Sequence, residues 1–167
     1  MAVGSATLKD GTPIIVRPVA VSDRHLLEEG FQRLSERSRY QRFFRVTKRL
    51  RDEELDFFVN VDHDEHEAVG ALAEDGSTGL GIARYIRLAP HSPEAEVAIV
   101  VADDAQGKGV GRVLMEALAE RARANGVQRF VAQTGAGNRP FRRLAERLGP
   151  TRVLALEGGT IELETTL

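Results

Sequence analysis

The segment from Asp103 to Arg112, Asp-Asp-Ala-Gln-Gly-Lys-Gly-Val-Gly-Arg, constrains this chain more than any other. It follows an apolar, strand-like run, Val97-Ala98-Ile99-Val100-Val101, and opens a strongly periodic helix. A glycine-rich turn between strand and helix lets backbone N–H groups approach a phosphate closely, and the helix dipole favours its charge. The pattern predicts a phosphorylated ligand held by main chain.

Three glycine-rich cradles can be compared with it. The Walker type requires a Ser or Thr after its lysine, and here Gly109 follows Lys108. The dinucleotide type opens a βαβ unit early in a chain, whereas this strand lies past mid-chain. The third, Gln/Arg-x-x-Gly-x-Gly/Ala, is matched without a gap by Gln106, Gly109 and Gly111. It resembles the pyrophosphate-binding signature of the GNAT superfamily of N-acetyltransferases, which bind acetyl-CoA.

Bulk properties narrow the alternatives. At 167 residues, 42% hydrophobic and 29% charged, the chain suits one globular domain spanning residues 1–167. A net charge of −2 offers no electrostatic footprint for nucleic acid. With no cysteine, disulfides, thiolate metal sites and cysteine nucleophiles are excluded. No apolar leader or membrane-length run is present, so the expected location is the cytoplasm.

Along the chain, Asp10-Gly11 reads as a turn before a first strand, Pro13 to Arg17. Ser22 is placed to cap a helix whose inward face is Leu27, Phe31 and Leu34. A short helix from about Asp52 to Val59 buries Leu55 and Phe58. Strands from Glu67 to Glu74 and from Leu80 to Leu88 form a hairpin about Asp75-Gly76, and Ala95 to Val101 makes the central strand. The next helix carries a stripe of Val110, Val113, Leu114, Ala117, Leu118 and Ala122, and ends at Asn125-Gly126. A strand from Val127 to Thr134 precedes a helix capped by Asn138, with Pro140 in its first turn, and Gly158-Gly159 joins a last hairpin. The order is β-α-α-β-β-β-α-β-α-β-β, mixed α/β with a largely antiparallel sheet and one βαβ unit.

That order resembles the GNAT fold over nearly the whole chain, implying a central sheet of about seven strands with helices on both faces. A narrower likeness lies in Asp10-Gly11-Thr12-Pro13 with Ile15-Val16-Arg17-Pro18, in Ser38-Arg39-Tyr40-Gln41-Arg42-Phe43-Phe44, in Gly81-Ile82-Ala83-Arg84-Tyr85, and in Ala95-Glu96-Val97-Ala98. Together these resemble the catalytic domain of bacterial Pat-type protein lysine acetyltransferases. The implied reaction is acetyl transfer from acetyl-CoA to a primary amine, a protein lysine or a small amine, in a ternary complex and without a metal. A non-catalytic acyl-CoA-binding module is the alternative from another class.

The chemistry sets its own demands. An alkylamine of pKa about 10.4 is almost wholly protonated at neutral pH and needs a base, and the developing oxyanion needs a donor. Glu96 interrupts an apolar strand that leads into the phosphate loop, and burial there is expected to raise its pKa. Similar proteins use a glutamate at this motif position as general base. The bland reading is an ion pair with Arg84 or Arg87, and Glu94, of the same strand parity, is the reserve base. The oxyanion donor is expected in the backbone amide near Val101, where the flanking strands splay apart in this fold.

The resemblance also implies cofactor contacts. Val101 meets the acetyl or pantetheine end; Gln106, Gly107, Lys108, Gly109, Val110, Gly111 and Arg112 surround the pyrophosphate; Asn138 faces the pantetheine arm. One departure stands out: Ala145 occupies the position where many relatives carry a tyrosine that protonates the departing thiolate. No general acid is assigned.

Two features invite other readings. Asp62-His63-Asp64-Glu65-His66-Glu67 lacks the i,i+4 spacing of zinc hydrolases and reads as a solvated acidic loop, with a role at the substrate rim as its functional alternative. The arginines of residues 37–42 are read as cleft or surface, and Phe43 and Phe44 as core.

Overall fold

The computed structural model describes residues 4–167. Eight strands form one sheet in the order β1-β2-β3-β4-β5-β6-β8-β7. They are β1 (Gly4–Thr7), β2 (Pro13–Pro18), β3 (His66–Ala73), β4 (Gly79–Arg87), β5 (Glu94–Val101), β6 (Arg129–Gly135), β7 (Thr151–Glu157) and β8 (Thr160–Thr166). Every neighbouring pair is antiparallel except β5 and β6, which are parallel. The one parallel pair needs a crossover, and helix α4 (Val110–Ala124) supplies it.

Two layers of helix cover the sheet. On one face α4 and α5 (Arg139–Leu148) bury Leu114, Leu118, Ala122, Phe141 and Ala145 against Ala83, Tyr85, Ala95, Val97 and Phe130. Strand alternation turns the residues between these to the opposite face. There α1 (Arg24–Gln32), α2 (Glu36–Phe43) and α3 (Asp52–Val59) pack Phe31, Leu34 and Leu55 against Val100, and Val59 against Ala68 and Ile82.

The expected architecture is therefore present, with one strand more than about seven. The extra strand is β1, four residues whose exposed, unpatterned Gly-Ser-Ala-Thr sequence carries no period-2 signal. It exists because Gly4 to Thr7 pair with Val16 to Pro13 of β2. Helix α2 is also additional. Ser35 caps it, its hydroxyl accepting the Ser38 N–H at 3.1 Å. Phe43 packs at its end, but Phe44 is exposed at a left-handed φ of 53°, which corrects its placement in the core. Nor does Ser22 cap α1. Buried Asp23 organises that turn instead, accepting the Ala20 N–H at 2.8 Å and two bonds of 2.7 Å from Arg17.

Candidate active site

The site begins where two strands part. Pairing between β5 and β6 covers only Glu94 to Glu96 against Arg129 to Val131; beyond that both strands continue unpaired with each other. On the other side of β5 the Ala102 N–H donates to Leu80, so alternation points the amides of Val100 and Ala98 at β4. The amides of Ile99 and Val101 then face the gap. A cleft of about 1000 Å³ occupies this opening and runs from Glu96 to the glycine loop and the start of α5.

The loop has the backbone its glycines permit. Gly107 (φ 75°) and Gly109 (φ 96°) are left-handed, and Gly109 caps α4 without a side chain of its own. A Cβ on Gly111 would lie 3.2 Å from Leu144, so this glycine lets α4 approach α5 and β5 closely. Gln106 extends across the strand end, its amide donating to the Val101 carbonyl at 3.1 Å and to the Ser38 hydroxyl at 3.4 Å. That side chain braces the loop against β5 and α2.

Of the residues expected around a pyrophosphate, Gln106, Gly107, Gly109, Val110, Gly111 and Arg112 line the cleft. Lys108 does not. It is exposed, its charge acts on Asp10, and its carbonyl accepts the Lys9 N–H at 3.2 Å. Lys9 itself lies over Gly109, where a Cβ would meet its side chain at 3.5 Å, and it lines the cleft in place of Lys108. No local signal marks Lys9, because proximity of the β1–β2 turn to the loop is a tertiary fact. Arg143 and Arg147, which α5 turns into the cleft one helical turn apart, likewise carry no motif of their own.

Lys9, Arg37, Arg143 and Arg147 make no side-chain ion pair among the described residues. Free cations, left-handed glycines and a helix N-terminus around one open cleft fit a polyanionic ligand with an extended tail. Val101 and Asn138 line the same space. Asn138 also caps α5, its carbonyl accepting the Phe141 N–H at 3.3 Å while its amide donates to Thr134 at 2.9 Å. Ala145 is buried, and neither tyrosine compensates for it. Tyr40 is exposed outside the cleft, and Tyr85 is fully buried with its hydroxyl accepting from Asn125 at 2.8 Å.

Glu96 faces the cleft from β5 just where the pairing with β6 ends. It is exposed, so the burial expected of it is absent: the splayed strands that free the neighbouring amides also admit solvent. The ion pair with Arg84 or Arg87 does not form. Arg87 instead holds Asp64 at 2.9 Å and the Ser92 carbonyl at 2.6 Å, and Arg84 donates to His66 Nε2 at 2.8 Å. Among the described residues no hydrogen bond or ion pair engages the Glu96 carboxylate; its charge acts through space on Arg42. Glu94 is bound to Arg129 by two bonds of 2.7 and 3.0 Å.

The segment from Asp62 to Glu67 is outside the cleft and only partly solvated. Asp62 accepts the N–H groups of Asp64 and His66, and these bonds hold its carboxyl below the usual range against the opposing effect of burial. Glu67 is fully buried and accepts from Arg121 (2.7 Å), His63 (2.9 Å) and the Ala68 N–H (2.8 Å). His63 and His66 each have one ring nitrogen engaged, by Glu67 and by Arg84, and none of residues 62–67 lines the cleft, as a role at its rim would require. Ligand atoms of Asp64, Glu65 and His91 do lie within 4.8 Å of one another, in an exposed cluster that Arg87 already bridges.

Comparison with known proteins agrees with this geometry. The Acetyltransferase (GNAT) family profile matches residues 24–149. An acetyltransferase of Pseudomonas aeruginosa is 34% identical over 145 residues, 86% of this chain and 77% of that protein. The acetyltransferase Pat of Mycolicibacterium smegmatis is 35% identical over 144 residues; the match covers 85% of this chain but only 42% of that longer protein. The crystal structure of the GNAT domain of S. lividans PAT superposes with a TM-score of 0.89 at 30% identity, covering 99% of this chain and 97% of that one. An open β5–β6 cleft, a left-handed glycine loop at the head of α4 and these likenesses together place the chain in the GNAT family of acetyltransferases.

Proposed function

We propose that this protein transfers the acetyl group of acetyl-CoA to a primary amine, with Glu96 as general base, and that the acceptor is the ε-amine of a protein lysine. The observation that carries the base assignment is the unpaired Glu96 carboxylate at the point where β5 and β6 separate, in the same cleft as the glycine loop. Bound acetyl-CoA supplies the acetyl group as a thioester. The free N–H groups of the loop and α4, with Lys9, Arg112, Arg143 and Arg147, are the groups that would hold its phosphates.

The chain's own residues then have three tasks. Glu96 accepts the proton an ammonium must lose before its nitrogen can attack; because Glu96 is exposed, that transfer runs directly or through one water. The Val101 amide, turned into the gap, donates to the oxygen on which negative charge gathers. A third proton-handling group is not required, since a thiolate leaves readily and water reaches the cleft. The absence of cysteine excludes a cysteinyl acyl-enzyme, which favours direct attack in a ternary complex.

The likeness to Pat proteins supports a protein lysine as acceptor. The test is incubation with acetyl-CoA and a panel of proteins, polyamines and amino acids, followed by intact mass and peptide mapping. A gain of one acetyl group on lysine side chains is the expected result. Modification confined to small amines would overturn the protein acceptor, and no transfer to any amine would overturn the enzyme reading.

A further inference from the structure

Beside the main cleft lies a second cavity of about 100 Å³, roughly three waters' worth of space, between the sheet and the α1–α2 layer. Most of its wall is apolar, with Leu27, Phe31, Leu34, Phe58 and Val100 among the lining side chains. Two arginines break that wall. Arg84 is buried, and Arg42 is half-buried and lines both this cavity and the main cleft. They share an aromatic surface, their guanidinium carbons lying 4.4 and 5.9 Å from the centre of the Phe58 ring.

Neither cation has a carboxylate in hydrogen-bond or ion-pair contact among the described residues. Arg84 donates to the Phe58 carbonyl and to His66 Nε2, both neutral acceptors. Arg42 makes no hydrogen bond and no ion pair among the described residues; its guanidinium lies over the rings of Phe43 and Phe58. Withdrawing a guanidinium from water without a carboxylate partner is costly, and two like charges side by side add to that cost. The remaining charges on the cavity wall cancel, because Arg17 and Asp23 pair at 2.7 Å. Arg42 and Arg84 together carry two positive charges against the single negative charge of Glu96, His66 is neutral, and Arg37 and Asp103 on the cleft wall cancel in sign, so the region around Glu96 holds one uncompensated positive charge.

Geometry ties this charge to the reacting end. Arg84 is opposite Ala98 and Glu96 is opposite Ile86, so Arg84 and Glu96 are diagonal neighbours on one sheet face, about 7–8 Å apart at Cα. Arg42, from α2, interacts through space with both Glu96 and Arg84. A simple alkylammonium entering here is repelled, whereas a zwitterion is not.

We propose that Arg42 and Arg84 form a carboxylate-binding subsite beside Glu96, so that the acceptor is a primary amine bearing a carboxylate close by. This rests on the acetyl-transfer reading and sharpens its substrate class. The carboxylate is supplied either by an acidic side chain next to a target lysine or by a free amino acid.

The test compares matched acceptors in wild type and Arg42→Gln, which replaces a half-buried side chain that makes no hydrogen bond and leaves buried Arg84 in place. One arm uses peptides with Glu or Gln adjacent to lysine; the other uses amino acids and their carboxamides. Wild type is expected to favour the carboxylate member of at least one arm by about 10- to 100-fold in kcat/KM, the scale of a lost charged hydrogen bond. In Arg42→Gln that ratio falls to within about threefold of unity. The arm that shows the effect identifies the source. No preference in wild type, or a preference that survives in Arg42→Gln, overturns the subsite. A second readout separates the two claims: thermal shift of the CoA-bound protein with short carboxylates, acetate through hexanoate, against the matching amides. Carboxylate-specific stabilisation lost in Arg42→Gln, in a protein that acetylates no amine, supports the subsite and refutes the enzyme reading. Absence of both stabilisation and kinetic preference refutes the subsite alone.

Discussion

Lowering the pH should destabilise this protein through one histidine. Arginine only donates, so the 2.8 Å contact from Arg84 requires His66 Nε2 to be an unprotonated acceptor. Burial first, and the Arg84 charge second, bring His66 down from 6.5 to about 4. Burial, with Arg42 alongside, also lowers Arg84 to about 9, so it stays charged at neutral pH. The sign follows from linkage. Above pH 6.5 His66 is neutral in both the folded and unfolded chains and contributes no pH dependence. Below it the unfolded chain takes up a proton that the folded chain refuses, so stability falls as the pH drops from 6.5 towards 4. With those two pKa values the loss is about 2 kcal/mol at pH 5 and approaches about 3 kcal/mol near pH 4. Urea midpoints measured from pH 7 to 4 would show it, compared with His66→Gln, whose amide oxygen accepts from Arg84 without titrating. The variant should lose most of this slope relative to wild type. Equal slopes would refute the assignment of a neutral, buried His66.

Two further perturbations probe the scaffold and the cofactor loop. Glu67→Gln removes the charge from a fully buried carboxylate that takes two bonds of 2.7 Å from Arg121 and one from His63. It should cost about 3 kcal/mol or more in chemical denaturation, and a loss under 1 kcal/mol would mean that the pair contributes little. Gly109→Asp puts a side chain on a residue at φ 96° and a carboxylate against the bound phosphates. CoA should then no longer raise the melting temperature, although it does so in wild type; an unchanged shift would remove the loop from the binding site.

Much of the fold was legible because local signals agreed with tertiary packing. The Val110–Ala122 stripe, the Asp75-Gly76 hairpin and the Gly107–Gly109 turn each carry their own chemistry. What was missed depends on neighbours. β1 is a strand only through β2, and α2 has a mean composition too polar for its short apolar edge to register. The exposure of Glu96 could not be read from an apolar strand, because it arises from β6 turning away. Lys9 replaces Lys108 in the cleft through a contact between segments about 100 residues apart. Glu67 looked like one more loop acid until β3 carried it under Arg121.

The central claim is that Glu96 takes the acceptor's proton in a GNAT cleft. Glu96→Gln keeps the side chain's size and polarity but cannot serve as base, and the residue is exposed and unpaired, so the fold should tolerate it. The decisive measurement is kcat/KM for acetyl transfer in this variant alongside calorimetric CoA affinity. The account predicts a fall of about 10²–10⁴-fold with CoA affinity within twofold of wild type. Near-normal turnover in Glu96→Gln would contradict it.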